Sequence, residues 1–332
     1  MGPQPIHNRE TTDLVPATRA TQELAFLSQV EHQAKDFAAH SKASNTIKAY
    51  RSDWDHFSRW CATHTFLPLP ATPETVAFYL SDLATTHKAS TLTRRVSAIS
   101  QAHQIAAFET PTKSSKVRLV LAGIRRTKGT AATAKTPVMI DELKRMVARL
   151  PEGLLGVRDR ALLLIGFTGG FRRSELIGLD HDAVATSRDG LVVTIRRSKT
   201  DQESEGRKIG LPYGSNPDTC PVRSYQDWLT ASGIVEGPVF RPVNRHGKMG
   251  CKRLSAKAVA RIVKRYVKSI GLDASNFAGH SLRSGFATSA ATAGASEAAI
   301  MKQTGHRSLT TVRRYIRDGS LFRENAAAVL GL

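Results

Sequence analysis

Strand-forming pattern is confined to one short stretch of this 332-residue chain, and that narrows the folds open to it. Residues 190–197 and 207–212 alternate apolar and polar side chains on either side of a charged turn, as the two arms of a hairpin do. Almost everywhere else the apolar residues recur at helical spacing. The expected fold is therefore mainly α with a small β-sheet. No internal repeat is apparent.

The first third reads as several short amphipathic helices. Leu24, Phe26, Leu27, Val30 and Phe37 recur between Thr21 and His40. Ile47, Tyr50, Trp54, Phe57 and Trp60 then stripe one face of a second helix, with Ser44 or Asn45 as its cap. Aromatic residues on such a stripe are core packing rather than base-stacking platforms. Thr72–Pro73 starts a third helix, Ser90 caps a fourth, and a fifth runs from about Lys113 to Arg126. Residues 127–136, TKGTAATAKT, are small, polar and unpatterned, which is the composition of a linker. The chain thus divides into an all-helical part, 21–126, and a mostly helical part, 137–332, that carries the hairpin. Two domains are also the default at this length. Residues 1–20 are polar and Pro-containing, and are expected to be disordered or weakly held.

Charge points to the partner. Forty-eight Lys and Arg stand against 28 Asp and Glu, a formal net charge of +20. On an otherwise ordinary globular composition this favours a polyanion, most often nucleic acid. Cys61, Cys220 and Cys251 are scattered and odd in number, which argues against a disulfide framework and a cysteine metal site. The most apolar stretch, Ala161 to Phe171, is too short to span a bilayer, and the N-terminus lacks the apolar core of a secretory signal. A soluble, cytoplasmic, DNA-associated protein is expected.

The residues that can carry chemistry are spread over the second part. Arg172 follows a Gly-Gly turn and opens a helix, where free backbone N–H groups and the helix dipole favour anions. A guanidinium there can grip a phosphate bidentately, and Glu175 one turn later can hold it. Lys199 ends the first strand among acidic residues. Taken alone it reads as part of a solvated turn, and otherwise as a mobile ammonium able to protonate a departing hydroxyl. His280 and Arg283 are three apart, which on a helix places both on one face. Gly305–His306 and then Tyr315 follow. A phenol has a pKa of about 10 and needs assistance to attack phosphorus at neutral pH. Two arginines would offset the charge that builds on the phosphate oxygens. Neither a metal-ligand cluster nor a Walker-type glycine loop accompanies them, so no cofactor is expected.

In combination, the order Arg…Lys…His-x-x-Arg…Gly-His…Tyr resembles the tyrosine recombinase (phage integrase) family. TGGFRRSEL looks like its first arginine box, HSLRSGFAT like its His-x-x-Arg box, and TGHRSLTTVRRYI like its Gly-His to Tyr box. The resemblance covers about residues 21–332, with the specific motifs in the second part. One departure is Arg173, where the family usually has an aliphatic residue.

The resemblance implies an all-helical core-binding domain and an α+β catalytic domain closing as a C-shaped clamp on double-stranded DNA. It implies Tyr315 as the nucleophile that forms a 3′-phosphotyrosyl bond, with Arg172 and Arg283 clamping the phosphate. Lys199 would be the general acid, with Lys208 as its rival. His280 would be the acid/base for the tyrosine, His306 a hydrogen-bond partner of the phosphate, and Glu175 the support of Arg172. Lys48, Arg51, Arg94, Arg95, Arg125 and Arg126 are candidate DNA contacts, with Arg94 and Arg95 near the start of a helix suited to the major groove. The final residues, about 320–332, would form a helix that docks on a neighbouring protomer, implying a tetramer on two specific sites. A type IB topoisomerase, a telomere resolvase or a catalytically degenerate DNA-binding protein are the alternatives.

Overall fold

The computed structural model describes residue 30 and residues 44–129, 134–196 and 206–319. The expected helix from Thr21 to His40, the N-terminal twenty residues, the hairpin turn with Lys199 and the C-terminal helix from about 320 fall wholly or largely outside these. Two compact units divide between Ala132 and Thr133.

The first unit holds α1 (Ser44–Thr63), α2 (Pro73–Leu83), α3 (Ala89–Ile105) and α4 (Ser115–Lys128). Thr72 caps α2, its hydroxyl accepting from the Thr75 N–H at 3.2 Å, and Pro73 takes the first turn where its missing N–H costs nothing. The fourth expected helix begins two residues early, at Ala89 with Lys88 as its cap residue, so Ser90 lies inside its first turn. The core gathers Phe57 and Cys61 of α1, Val76, Tyr79 and Leu80 of α2, Leu92 and Ile99 of α3, and Val117 and Ile124 of α4. Trp54 and Trp60 pack against this cluster, as side chains on a core stripe do.

Arg95 corrects the expectation of a groove contact. It is 7% exposed, lies over the Tyr79 ring at 5.8 Å and has Nε 3.8 Å from the buried Asp53 carboxylate. Its spacing from Leu92 and Ile99, three and four residues away, puts it on the buried face. Arg94, about 100° further round the helix, is half exposed and donates from Nε and Nη2 to Asp53 at 2.7 and 3.0 Å. Lys48, Arg51, Arg125 and Arg126 are exposed.

The stretch between the units is shorter than ten residues of linker. α4 runs on to Lys128, and the Lys135 ammonium already donates to the Ser275 carbonyl. Thr136 and Val138 then donate their N–H groups to the Asn276 and Ser281 carbonyls at 2.8 and 2.9 Å.

The second unit holds α5 (Ile140–Val147), α6 (Leu154–Thr168), α7 (Arg173–Ile177), α8 (Pro221–Ser232), α9 (Ala256–Ser269), α10 (Ser281–Thr292), α11 (Glu297–Thr304) and α12 (Leu309–Gly319). Three antiparallel strands, β1 (Val184–Ser187), β2 (Gly190–Ile195) and β3 (Arg207–Pro212), lie in that order, with Val193 opposite both Val184 and Ile209. β2 and β3 are the expected hairpin. β1 is an addition: its residues are exposed or half-exposed, so it lacks the apolar alternation that marks a strand. α6 is apolar nearly all round and is the central helix, packed on α8 and α10. Buried Asp159 ties it to α9, accepting from the Arg158 guanidinium and from the Tyr266 hydroxyl at 2.7 Å. Among the described residues no helix is long and apolar enough to cross a membrane.

Gly285 lets the incoming chain lie directly on α10, since a Cβ there would stand 1.8 Å from the Val138 carbonyl oxygen. Gly285→Ala therefore has to push backbone apart. We expect about 1–3 kcal/mol of destabilisation and a thermal midpoint lower by on the order of 5 °C. An unchanged midpoint in calorimetry would contradict this packing.

Candidate active site

α6 ends at Gly169, and Gly170 turns the chain with φ +54° so that Arg172 becomes the N-cap residue of α7. Glu175 lies three residues on, and its side chain is 1% exposed. Its carboxylate accepts from the Arg172 N–H at 2.9 Å and from Arg172 Nη1 at 2.6 Å. The expected support of Arg172 thus takes the form of a buried, doubly bonded pair. Arg172 Nη2 also donates to the Gly305 carbonyl at 3.3 Å. Arg173, the departure from the family pattern, is exposed, with its aliphatic stem against the backbone at Gly279. It leaves the seat of Arg172 untouched.

Arg283, on the first turn of α10, is fully buried. Nη1 donates to the Gly170 and Thr304 carbonyls, each at 2.6 Å, and Nη2 lies 3.0 Å from His306 Nε2. A guanidinium has no acceptor, so His306 Nε2 accepts and the ring hydrogen sits on Nδ1. Nδ1 then donates to Thr304 Oγ1 at 2.7 Å, and that hydroxyl donates to the Ile300 carbonyl at 2.6 Å. Both nitrogens of His306 are thereby engaged within the protein in this structure, Nε2 by Arg283 and Nδ1 by Thr304. Nε of Arg283 is buried with no hydrogen-bond partner among the described residues. A buried donor left over in a cationic cluster is what an oxyanion would satisfy.

His280 and Tyr315 complete the group. His280 is the N-cap of α10, and Tyr315 comes from α12, which packs on α10 through Ala287, Ala291 and Val312. His280 Nε2 and the Tyr315 hydroxyl are 3.4 Å apart, and the His306 and Tyr315 rings are 5.8 Å apart. Crowding by protein, then the charges of Arg283, Arg172 and Arg173, push the His280 imidazole down to about 4, although the residue stays open to solvent. Burial, then Arg283 and Arg172, push His306 down to about 3. Burial and the nearby Arg172 also lower Arg283, to about 10, which leaves it a cation at neutral pH. The site therefore presents two guanidiniums, one neutral imidazole beside a phenol and another behind Arg283.

Arg172, Glu175, His280, Arg283, His306 and Tyr315 are thus brought together. Lys199 lies outside the described residues, and its rival Lys208 is exposed on β3 opposite Thr194. Two participants escaped the sequence reading. Thr304 sets the His306 tautomer, and its only signal is its place beside Gly305. Arg207, the first residue of β3, donates through Nη2 to Glu175 at 3.3 Å and through Nη1 to the Gln303 carbonyl at 2.8 Å.

The depressed histidines predict a pH dependence. Below about pH 6.5 the unfolded chain takes up protons that His280 refuses until about 4 and His306 until about 3, so protons favour unfolding across that window. Stability should fall as pH drops from 6.5 toward 4, and His306→Gln should flatten part of that fall. Urea midpoints at pH 7 and pH 4 measure it; equal losses in variant and wild type would contradict a neutral, acceptor His306.

The sequence pattern of the phage integrase family matches residues 138–320. An integrase/recombinase XerD homologue of Selenomonas ruminantium is 44% identical over 298 residues, covering 89% of this chain and 87% of that protein. The fold is shared with the Tn1549 transposon integrase in complex with transposon right end DNA (15% identity, TM-score 0.60, 90% of this chain and 98% of that one). It is also shared with a lambda integrase tetramer bound to a Holliday junction (21% identity, TM-score 0.56, 91% and 79%). On the family match and the close relative together, the chain belongs to the phage integrase family and is a tyrosine-type site-specific recombinase.

Proposed function

We propose that Tyr315 is the nucleophile of this recombinase. Its hydroxyl oxygen attacks the scissile phosphorus, a 3′-phosphotyrosyl bond forms, and the bond to the 5′ oxygen breaks. Neutral His280 takes the phenolic proton through Nε2, and Lys199 gives a proton to the departing 5′ oxygen. Attack by a 5′-hydroxyl from the partner strand reverses these steps and rejoins the DNA. The phosphodiester energy is kept in the protein–DNA bond, so no energy source is consumed.

The observation that carries this reading is the 3.4 Å approach of His280 Nε2 to the Tyr315 hydroxyl beside the arginine pair. A base must be unprotonated to accept, and an imidazole held at about 4 is neutral at pH 7. Arg172 and Arg283 would grip the phosphate oxygens and offset their growing charge. Arg283 brings the unpartnered Nε noted above.

Double-stranded DNA is the partner that a net charge of +20 favours. We place its contacts on both units, with Lys48, Arg51, Arg125 and Arg126 exposed on the first for phosphate contact. Synapsis of two sites by four protomers, with residues from about 320 docking on a neighbour, completes the proposal. The lambda integrase tetramer on a Holliday junction supports it by analogy.

Tyr315→Phe should abolish covalent protein–DNA adducts on a nicked site substrate while site binding in a gel-shift assay is retained. Adducts persisting in that variant would refute the assignment. Binding should also weaken steeply with salt, by about 10³ or more between 50 and 200 mM if six or more phosphates are neutralised; a flat response would refute the phosphate-dominated interface.

A further inference from the structure

Arg207 is a half-buried cation that the proposed reaction leaves without a task. Its acceptors come from two separate elements. Nη2 reaches Glu175 at 3.3 Å, on the same Oε2 that takes the Arg172 N–H. Nη1 reaches the Lys302 and Gln303 carbonyls at 3.3 and 2.8 Å. Those are among the last carbonyls of α11, which have no partner inside the helix and favour a cation. Next to them Gly305 turns the chain with φ +65°, and its own carbonyl accepts from Arg172 Nη2.

The guanidinium also fills the space over Gly305, where a Cβ would stand 2.6 Å from the Arg207 guanidinium carbon. Both of Arg172's protein acceptors, the Glu175 carboxylate and the Gly305 turn, are therefore contacted by Arg207. Charge points the same way. Two guanidiniums, Arg172 and Arg207, pair with one carboxylate, so Glu175 is shared and cannot neutralise Arg172 alone. Burial and the charge of Arg172 together lower the Arg207 pKa, while Glu175 opposes them, as in a crowded cationic cluster. Both terminal nitrogens of Arg207 are committed to protein oxygens, so its fork is spent on holding Glu175 and the α11 C-terminus.

We infer that Arg207 is a positioning residue for the phosphate clamp, bridging Glu175 to the α11 C-terminus so that Arg172 is held, still net cationic, in its phosphate-binding pose. This rests on the nucleophile and clamp roles proposed above.

The test is a double-mutant cycle on the full-length chain. Single-turnover formation of the covalent adduct is measured on duplex DNA carrying the site mapped by trapping with wild-type protein. Arg207→Ala should slow adduct formation by about 10–100-fold, the scale of a small misplacement of a reacting group, with site affinity nearly unchanged. In the Arg172→Ala background the same substitution should add little, because the residue it acts through is gone. A purely structural role would instead lower the thermal midpoint and slow both backgrounds equally, and that result overturns the inference. Arg207→Lys keeps the charge without the planar fork, so a folded Arg207→Lys protein should also be slow. Wild-type speed in that variant, or in Arg207→Ala, likewise overturns it. Absence of any adduct from the wild-type protein would bring down the recombinase mechanism itself, and this role with it.

Discussion

A single buried carboxylate organises this site. Glu175 has almost no contact with water, and a charge so placed is costly unless its oxygens are occupied by cations and N–H donors. Here they are occupied by Arg172 from α7 and Arg207 from β3. The two guanidiniums reach onward to the carbonyls at the end of α11, where Arg283 of α10 converges on Thr304. Pairing Glu175 thus fixes one arginine directly and links the elements that seat the other. In the proposed mechanism this is a clamp assembled before any phosphate arrives, which is how fixed charges become useful in a transition state.

Burial and the same cationic crowding set the histidines. Imidazoles beside two guanidiniums resist protonation, so His280 is left as a base facing Tyr315, while His306 accepts from Arg283 and passes its other hydrogen to Thr304. The two histidines are therefore engaged differently: one faces the phenol, the other accepts from an arginine. Gly305 belongs to this logic as well. The left-handed turn and the guanidinium packed on it both exclude a side chain, which accounts for the glycine that precedes His306.

Much of this was legible in the chain because the chemistry-bearing residues sit in short local words. Arg172 with Glu175 and His280 with Arg283 are each three apart on helices, so one turn of helix brings each pair together. The helical bulk of both units followed from apolar spacing, and the β2–β3 hairpin from alternation. What was hidden has physical causes. β1 is too exposed to alternate. Arg95 looked like a surface cation because two adjacent basic residues do not reveal which one faces inward; only its spacing from Leu92 and Ile99 does, and Asp53, 42 positions earlier, supplies the charge that makes its burial tolerable. Arg207 was hidden because its acceptors are 32 and 95–96 residues away in sequence, distances at which no local pattern speaks.

The central claim is that the clamp and the neutral His280 serve one phenol. Its most direct test is to trap the protein on its cleaved site, digest both components and locate the nucleotide on the peptide by mass spectrometry. Expected is a single modified peptide carrying a 3′-linked nucleotide on Tyr315. A nucleotide on any other residue, or one joined through its 5′ phosphate, would contradict it.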